Sequence, residues 1–155
     1  MGIFNALYHA EESERVTLAG VVRPSDVEGL AGNEFVAYFH TTGALVRCDR
    51  DTELPLALPE LGWEIVTFAP VQDGFAPVGL GNMLNGGGAI IAQGPAPRGG
   101  CTIRLRDGGH FVTWCVASPE ALEVDGADVA FAYDPGTGTL SADVPASGAC
   151  ELRLL

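Results

Sequence analysis

Residues that could carry out acid–base, nucleophilic or metal chemistry are few and widely separated in this sequence. The three histidines are His9, His40 and His110, and none has a second ligand or a catalytic partner at a spacing typical of a site. The serines fall in turn-like segments, and none lies in the Gly-x-Ser-x-Gly motif that exposes a hydrolase nucleophile. The sequence therefore predicts no catalytic residue, no metal site and no cofactor.

The four cysteines are also scattered, with no Cys-x-x-Cys pair among them. Four cysteines allow three disulfide pairings, and the spacing does not choose among these. The start of the chain has no feature of a secretory signal, which disfavours disulfides. Each cysteine lies in a strand-like apolar run, which is typical of a small buried hydrophobic residue. We interpret all four in this way: Cys48, Cys101, Cys115 and Cys150.

The glycine-rich stretch at residues 79–88 is similar to a phosphate-binding loop in composition only. It lacks the Gly-Lys-Ser/Thr ending of a P-loop and the spacing of a dinucleotide-binding fingerprint. The apolar residues 89–92 that follow favour a strand, whereas both motifs require a helix there. We interpret the stretch as the end of one strand, a turn at Asn85-Gly86 and the start of another strand.

The carboxylates and the aromatic side chains raise the question of sugar chemistry. A glycosidase needs two carboxylates that face each other across the sugar, and the 20 acidic residues show no pattern that pairs any two of them. The aromatic residues that could stack on a sugar ring are Tyr38, Trp63, Trp114 and Tyr133. Each lies in a strand with apolar neighbours, which favours core packing. For Trp63 in particular, the sequence predicts a core position.

The charge balance excludes several kinds of partner. The chain has 155 residues, of which 20 are acidic and 8 basic, and its net charge is −12. A nucleic acid or an anionic membrane surface would repel such a chain. No apolar run approaches the roughly 18 residues of a membrane span, and the first residues lack a secretory signal. We expect a cytoplasmic protein that binds neither nucleic acid nor membrane.

Short strand-like runs separated by turn residues make up most of the chain. Asp-Gly pairs beginning at Asp73, Asp107 and Asp125 predict tight hairpin turns with positive φ. Helical periodicity is nearly missing, and only residues 24–30 predict a short helical turn. Strands that recur about every 8–12 residues are typical of an antiparallel sandwich or barrel. The prediction is an all-β fold, a single antiparallel β-sandwich domain over residues 1–155 with at most one short helical turn.

The order of several short motifs resembles that of a known family. Residues 75–90 are similar to the Phe-Ala-Pro-Ile-Gly-Leu…Asn-Met-Phe-Asn-x-Gly-Gly-Ala run of plant raffinose synthases, alkaline α-galactosidases and seed imbibition proteins. Similar pieces follow the same order at residues 2–5 (Gly-Ile-Phe-Asn), 54–58 (Leu-Pro-Leu-Ala-Leu) and 125–129 (Asp-Gly-Ala-Asp-Val). The resemblance covers nearly the whole chain. It fails at residues 6–8, where Ala-Leu-Tyr stands in place of a Cys-Gln-Gly-like stretch.

The resemblance implies one region of an enzyme. In this family a (β/α)8 barrel carries two catalytic aspartates that act on α-galactosides, and the region that matches this chain is a β-sandwich following the barrel. No βα repeat occurs in this chain, so no catalytic aspartate can be assigned. The resemblance therefore implies a non-catalytic accessory domain that supports a catalytic barrel as its partner. Such a domain should expose an apolar patch to that partner.

The alternative is a stand-alone carbohydrate-binding or assembly module, for which the resemblance implies α-galactosides as ligands. Modules of this kind present an exposed aromatic ring flanked by hydrogen-bonding side chains. The alternative therefore requires a solvent-facing Trp or Tyr. The first candidate is Trp114, and the second is Tyr38.

Overall fold

The computed structural model describes residues 1–96, 99–145 and 147–155, and these residues form an almost purely β structure. Every strand pairing whose register is resolved is antiparallel. The all-β antiparallel fold predicted from the sequence is thereby confirmed. The chain divides into two compact units, Met1–Phe68 and Ala69–Leu155. The single domain predicted over residues 1–155 stays a prediction.

The first unit contains a four-stranded sheet and a two-stranded sheet. Its strands are β1 (Gly2–Phe4), β2 (Leu18–Val22), β3 (Glu34–Phe39), β4 (Ala44–Asp49), β5 (Leu54–Leu58) and β6 (Trp63–Pro70), the last of which ends just beyond the unit. The strand order is β1-β6-β3-β4 in one sheet and β2-β5 in the other. Its core consists of buried side chains from β2 to β6: Val22, Phe35, Ala37, Cys48, Leu54 and Val66.

The second unit is a two-layered sandwich. Its strands are β7 (Phe75–Leu80), β8 (Ile90–Pro95), β9 (Cys101–Leu105), β10 (Gly109–Cys115), β11 (Leu122–Val124), β12 (Ala127–Asp128), β13 (Ala132–Asp134), β14 (Thr139–Val144) and β15 (Cys150–Leu154). One sheet has the order β13-β14-β10-β7 and the other β12-β11-β15-β9-β8. Phe111 and Leu140 from the first sheet share one core cluster with Ile103, Leu122 and Leu152 from the second. Burying these faces against each other is the main stabilisation that this arrangement supplies.

Within the described residues, the helical content consists of single 3₁₀ turns at Glu12–Glu14, Pro24–Asp26 and Gly86–Ala89. The helical turn predicted at residues 24–30 occurs over Pro24–Asp26, where proline takes the first helical position and Arg23, not the predicted Ser25, is the N-cap. The other two turns were not predicted, and neither contains a proline. No helix in the described ranges is long and apolar enough to cross a membrane.

Two of the three predicted Asp-Gly turns have the expected backbone. Asp73 and Asp125 have φ of +50° each, and the following glycines have +82° and +81°. Both central residues of such a turn have a left-handed backbone conformation, which matches the twist of the two flanking strands. The prediction for Asp107 is wrong, since positive φ first occurs two residues later, at Gly109. The Asp107 carboxylate accepts hydrogen bonds from the amides of Gly108 and Gly148.

The glycine-rich stretch joins the two layers of the sandwich. Strands do occur on both sides of it, as predicted, but β7 lies in one sheet and β8 in the other, so they do not form a hairpin. Gly79 has a φ of +105°, and a Cβ there would lie 2.0 Å from the carbonyl oxygen of Gly86. The glycine is therefore required for two reasons, its backbone conformation and the close approach of the returning chain.

Substituting this glycine tests the packing of the connection. Gly79→Ala should lower the free energy of unfolding by at least about 2 kcal/mol, because it adds backbone strain and a clash with the Gly86 carbonyl. The measurement is urea unfolding followed by circular dichroism. Gly94→Ala is the matched control, since nothing lies within 4 Å of its added Cβ, and it should change stability by less than about 1 kcal/mol. Equal effects of the two substitutions would contradict this account.

Candidate functional site

The two aromatic residues proposed from the sequence as sugar contacts are both buried. Trp114 is 6% exposed on β10, which is hydrogen-bonded to β14 on one side and β7 on the other. The core packing favoured by its apolar neighbours is confirmed for Trp114, and the solvent-facing position that the alternative module requires of it is wrong. Residues 111–115 are all buried, so both faces of the strand are covered there. Tyr38 is 7% exposed on β3, and its ring meets the His40 imidazole edge to face at a centroid distance of 4.9 Å. A sugar-binding role for the two stays a prediction.

Trp63 takes the exposed position instead. Its side chain is 44% exposed, so the predicted core position is wrong. The physical reason is the alternation of β6, in which Glu64 and Val66 point to the buried side and Trp63 to the other. Phe4 lies directly opposite Trp63 on β1 and is 70% exposed. The first unit therefore presents two neighbouring aromatic rings to solvent.

Glu64 is the buried acid on which this placement depends. Glu64 is only 3% exposed, and both oxygens of its carboxylate accept hydrogen bonds within the protein. Oε1 accepts hydrogen bonds from the amides of Thr41 at 3.0 Å and Ile65 at 2.8 Å, and Oε2 accepts one from the Thr41 hydroxyl. Sequence reasoning missed Glu64 by treating the acids as a solvated surface. The available signal was an acid inside an otherwise apolar strand.

A second carboxylate, Glu60, holds the segment that follows β1. Its oxygens accept a hydrogen bond from the His9 amide and contact His9 Nδ1 at 2.7 Å. Asn5 supports the same segment, since its Nδ2 donates to the Leu58 carbonyl at 3.1 Å and its Oδ1 accepts from the Leu7 amide. Desolvation would raise the pKa of Glu60, but the hydrogen bonds from His9 outweigh it and lower that pKa. These contacts tie the segment to the end of β5.

Glu60, Trp63 and Glu64 line an open groove of about 720 Å³ in the first unit. Its lining includes the polar residues Thr41, Thr42, Glu60 and Glu64 and the large exposed side chains of Leu61 and Trp63. Phe39, Leu56 and Leu58 add apolar surface. We call this site the Trp63 groove. Its size is within the range of about 300–1,000 Å³ that small-molecule sites occupy, and it combines apolar lining with a few fixed polar groups.

A separate shallow cavity of about 180 Å³ lies between β1 and the β2–β5 sheet. Its lining includes Phe4, Leu18 and Val21, which are 70%, 48% and 42% exposed. We call these three residues the apolar face. An exposed apolar patch was predicted for a domain that packs against a partner, and this surface fits that description.

The remaining candidates from the sequence do not form a reactive site. His40 Nε2 lies 2.9 Å from the Thr67 hydroxyl, and burial lowers the pKa of His40. His110 pairs with the exposed Asp143 at 3.0 Å. Among the described residues, no three His, Cys, Asp or Glu side chains come together as metal ligands.

The cysteines are free thiols, and all four are buried, as predicted. Burial raises the pKa of Cys48 to about 11 and that of Cys115 to about 12. Such thiols stay protonated at neutral pH, and they act as small apolar side chains.

The position of Trp63 predicts an unusual result for a tryptophan. Trp63→Ala should lower the free energy of unfolding by only about 1 kcal/mol, because nearly half of the side chain is already in solvent. Phe111→Ala, in the sandwich core, should cost about 3–5 kcal/mol. Urea unfolding of both variants compares them directly. A decrease of more than about 3 kcal/mol in the free energy of unfolding of Trp63→Ala would indicate that Trp63 is a core residue, as the sequence predicted.

The contact between His9 and Glu60 predicts a pH dependence of stability. Because the pKa of Glu60 is lowered in the folded chain, its stabilisation is present above the ordinary value of 4.5 and is lost as the pH falls below it. Thermal unfolding from pH 7 to pH 3 should therefore show a smaller loss of Tm in Glu60→Gln than in the unchanged chain. Glu11→Gln, which changes an exposed acid, is the control and should follow the unchanged chain. Parallel curves for all three proteins would refute the role of Glu60.

Comparison with known proteins gives a consistent family. The model of the family "Raffinose synthase or seed imbibition protein Sip1" matches residues 6–144. A galactinol–sucrose galactosyltransferase of Oryza sativa subsp. japonica is 34% identical over 83% of this chain but over only 18% of its own length. A probable galactinol–sucrose galactosyltransferase 1 of Arabidopsis thaliana is 35% identical over 86% of this chain and 20% of its own. A stachyose synthase of Pisum sativum is 30% identical over 72% of this chain and 14% of its own.

The matched region is a small part of each relative. The chain spans about a fifth of the length of the galactosyltransferases that it matches, although they cover most of the chain itself. The motifs first noted at residues 75–90 lie within the matched range. The chain belongs to the raffinose synthase or seed imbibition protein family.

Proposed function

We propose that this chain is a non-catalytic accessory region of an α-galactoside-processing enzyme, and that it supports a (β/α)8 catalytic barrel. One observation carries the proposal. The relatives match the chain over more than four fifths of its length, but the match takes up only 18–20% of theirs. Most of the sequence of these galactosyltransferases therefore lies outside the region that they share with this chain.

The carboxylates of the Trp63 groove support a non-catalytic role. A glycosidase uses one carboxyl group with a raised pKa as the acid and a second carboxylate as the nucleophile or base. Glu60 has a lowered pKa because of His9. Glu64 is engaged by the amides of Thr41 and Ile65 and by the Thr41 hydroxyl. Both acids hold the chain in place, and neither has the environment of a proton donor to a leaving group.

The apolar face supports a partner domain. Phe4, Leu18 and Val21 keep large apolar side chains in solvent, at a cost that burial against another domain would recover. A catalytic barrel is the partner that the family membership suggests. We further place the protein in the cytoplasm, a proposal that its four free thiols support.

The first test is for catalysis by the purified chain. With an aryl α-galactoside, or with galactinol and sucrose together, we expect no product above the buffer blank. Turnover that persists through purification and disappears in Glu60→Gln or Glu64→Gln would overturn the proposal. The circular dichroism spectrum of each variant controls for folding.

The second test concerns support of a barrel. In the rice relative, deletion of the region that matches this chain should abolish soluble, active enzyme, because the barrel would lose the surface that covers it. A rice enzyme with this deletion that retains full activity and the same Tm would contradict an accessory role.

A further inference from the structure

We propose that the Trp63 groove is a carbohydrate-binding site for the galactosyl unit of an α-galactoside, with Trp63 as the stacking platform. The choice of galactose rests on the proposed function, since it comes from the galactosyl chemistry of the relatives. The choice of a sugar as the ligand class rests on the groove itself.

The aromatic surface is the first part of the argument. Trp63 is half-exposed at the start of β6. Its neighbour Glu64 is buried, so the Trp63 side chain points to the opposite, solvent-facing side of the strand. An indole offers a wide apolar face with little conformational entropy to lose on binding. In galactose the axial hydroxyl on C4 leaves the C–H groups of C3, C4 and C5 together on one face. Such a face packs on an aromatic ring, whereas the C4 epimer glucose has no equally continuous one.

The polar groups of the groove are the second part. A sugar presents hydroxyls that both donate and accept, so its site needs groups of both kinds. Thr41 and Thr42 are exposed and line the groove, whereas Glu60 and Glu64 line it with side chains that are nearly buried and bonded within the protein. The Thr42 hydroxyl oxygen accepts from the Ala44 amide, which leaves its hydrogen able to bond a ligand. The Thr41 hydroxyl donates to Glu64, which leaves its oxygen able to accept a hydrogen bond from a ligand. Their positions are held by hydrogen bonds within the protein, so little order is lost when a ligand binds.

The charge of the groove excludes competing ligand classes. Two acids line it, and none of the described residues that line it is basic. Together with a net charge of −12, this disfavours phosphates, nucleotides and acidic sugars. A neutral polyol with apolar C–H faces is the ligand class that suits both the acids and the indole.

The test uses the fluorescence of the chain itself. The protein has two tryptophans, of which Trp63 is exposed and Trp114 is buried, so an added sugar should change the emission of Trp63. Methyl α-galactopyranoside and raffinose are the probes, and methyl α-glucopyranoside is the control sugar. We expect a saturable change with a Kd of about 1 mM for the galactosides, protection of the indole from iodide quenching, and binding at least tenfold weaker for the glucoside.

Two variants assign the effect to the groove. Trp63→Ala should weaken binding at least tenfold, measured by saturation-transfer NMR on the sugar protons because this variant loses the fluorescent group. Tyr8→Ala is the matched control, since Tyr8 is another exposed aromatic that does not line the groove, and it should bind as the unchanged chain does. Circular dichroism checks that both variants fold.

The outcomes separate this inference from the proposed function. No saturable fluorescence change and no saturation transfer for either galactoside would overturn the sugar site. An equal loss of binding in Tyr8→Ala would contradict the location of the site in the Trp63 groove. Equal binding of the glucoside would contradict its preference for galactose. The accessory role is decided independently by the deletion in the rice enzyme. Galactoside binding together with a harmless deletion would support the site and favour a stand-alone carbohydrate-binding module.

Discussion

The buried carboxylate of Glu64 is the interaction on which the first unit depends. A charged group away from water is costly unless hydrogen bonds replace its hydration. Here three donors do so, the amides of Thr41 and Ile65 and the Thr41 hydroxyl. Because successive side chains of a strand point to opposite faces, a buried Glu64 places Trp63 on the other side. The same carboxylate thus links the turn after β3 to β6 and sets the side to which the indole is directed.

The start of the segment between β1 and β2 is held by polar side-chain contacts rather than by strand pairing. Asn5, the last residue of the Gly-Ile-Phe-Asn motif, is 3% exposed and bonds to the Leu58 carbonyl and the Leu7 amide. Glu60 holds His9 in the same neighbourhood. These contacts give the motif a physical role, because a buried Asn can satisfy backbone groups that no strand partner reaches. Of these residues, Leu58 and Glu60 also line the Trp63 groove.

The two units use different means to form a core. In the second unit, two sheets bury apolar faces against each other, and side chains such as Phe111 and Ile103 are fully enclosed. In the first unit, a smaller apolar cluster is combined with buried polar groups at Asn5 and Glu64, and several large apolar side chains stay exposed. The second unit therefore has the character of a stable scaffold. The first unit carries the surfaces to which we assign function.

Local patterns in the sequence were sufficient for the all-β fold, the 3₁₀ turn at Pro24–Asp26, two of the Asp-Gly turns and the burial of the cysteines. These properties follow from neighbouring residues, namely alternation, proline and glycine conformation, and small apolar side chains. The family was also readable, because its motifs are contiguous.

The placement of the aromatic side chains was decided only by the tertiary structure. Trp63 and Trp114 lie in similar apolar runs, yet one is exposed and the other enclosed. What separates them is remote in sequence: Thr41 supplies the hydrogen bonds that bury Glu64 beside Trp63, and β7 and β14 flank the strand of Trp114. Whether a strand is central, and which of its faces is buried, depends on its partners rather than on its own residues. For this reason the sequence determined the strands of this protein, and only the tertiary structure determined the groove.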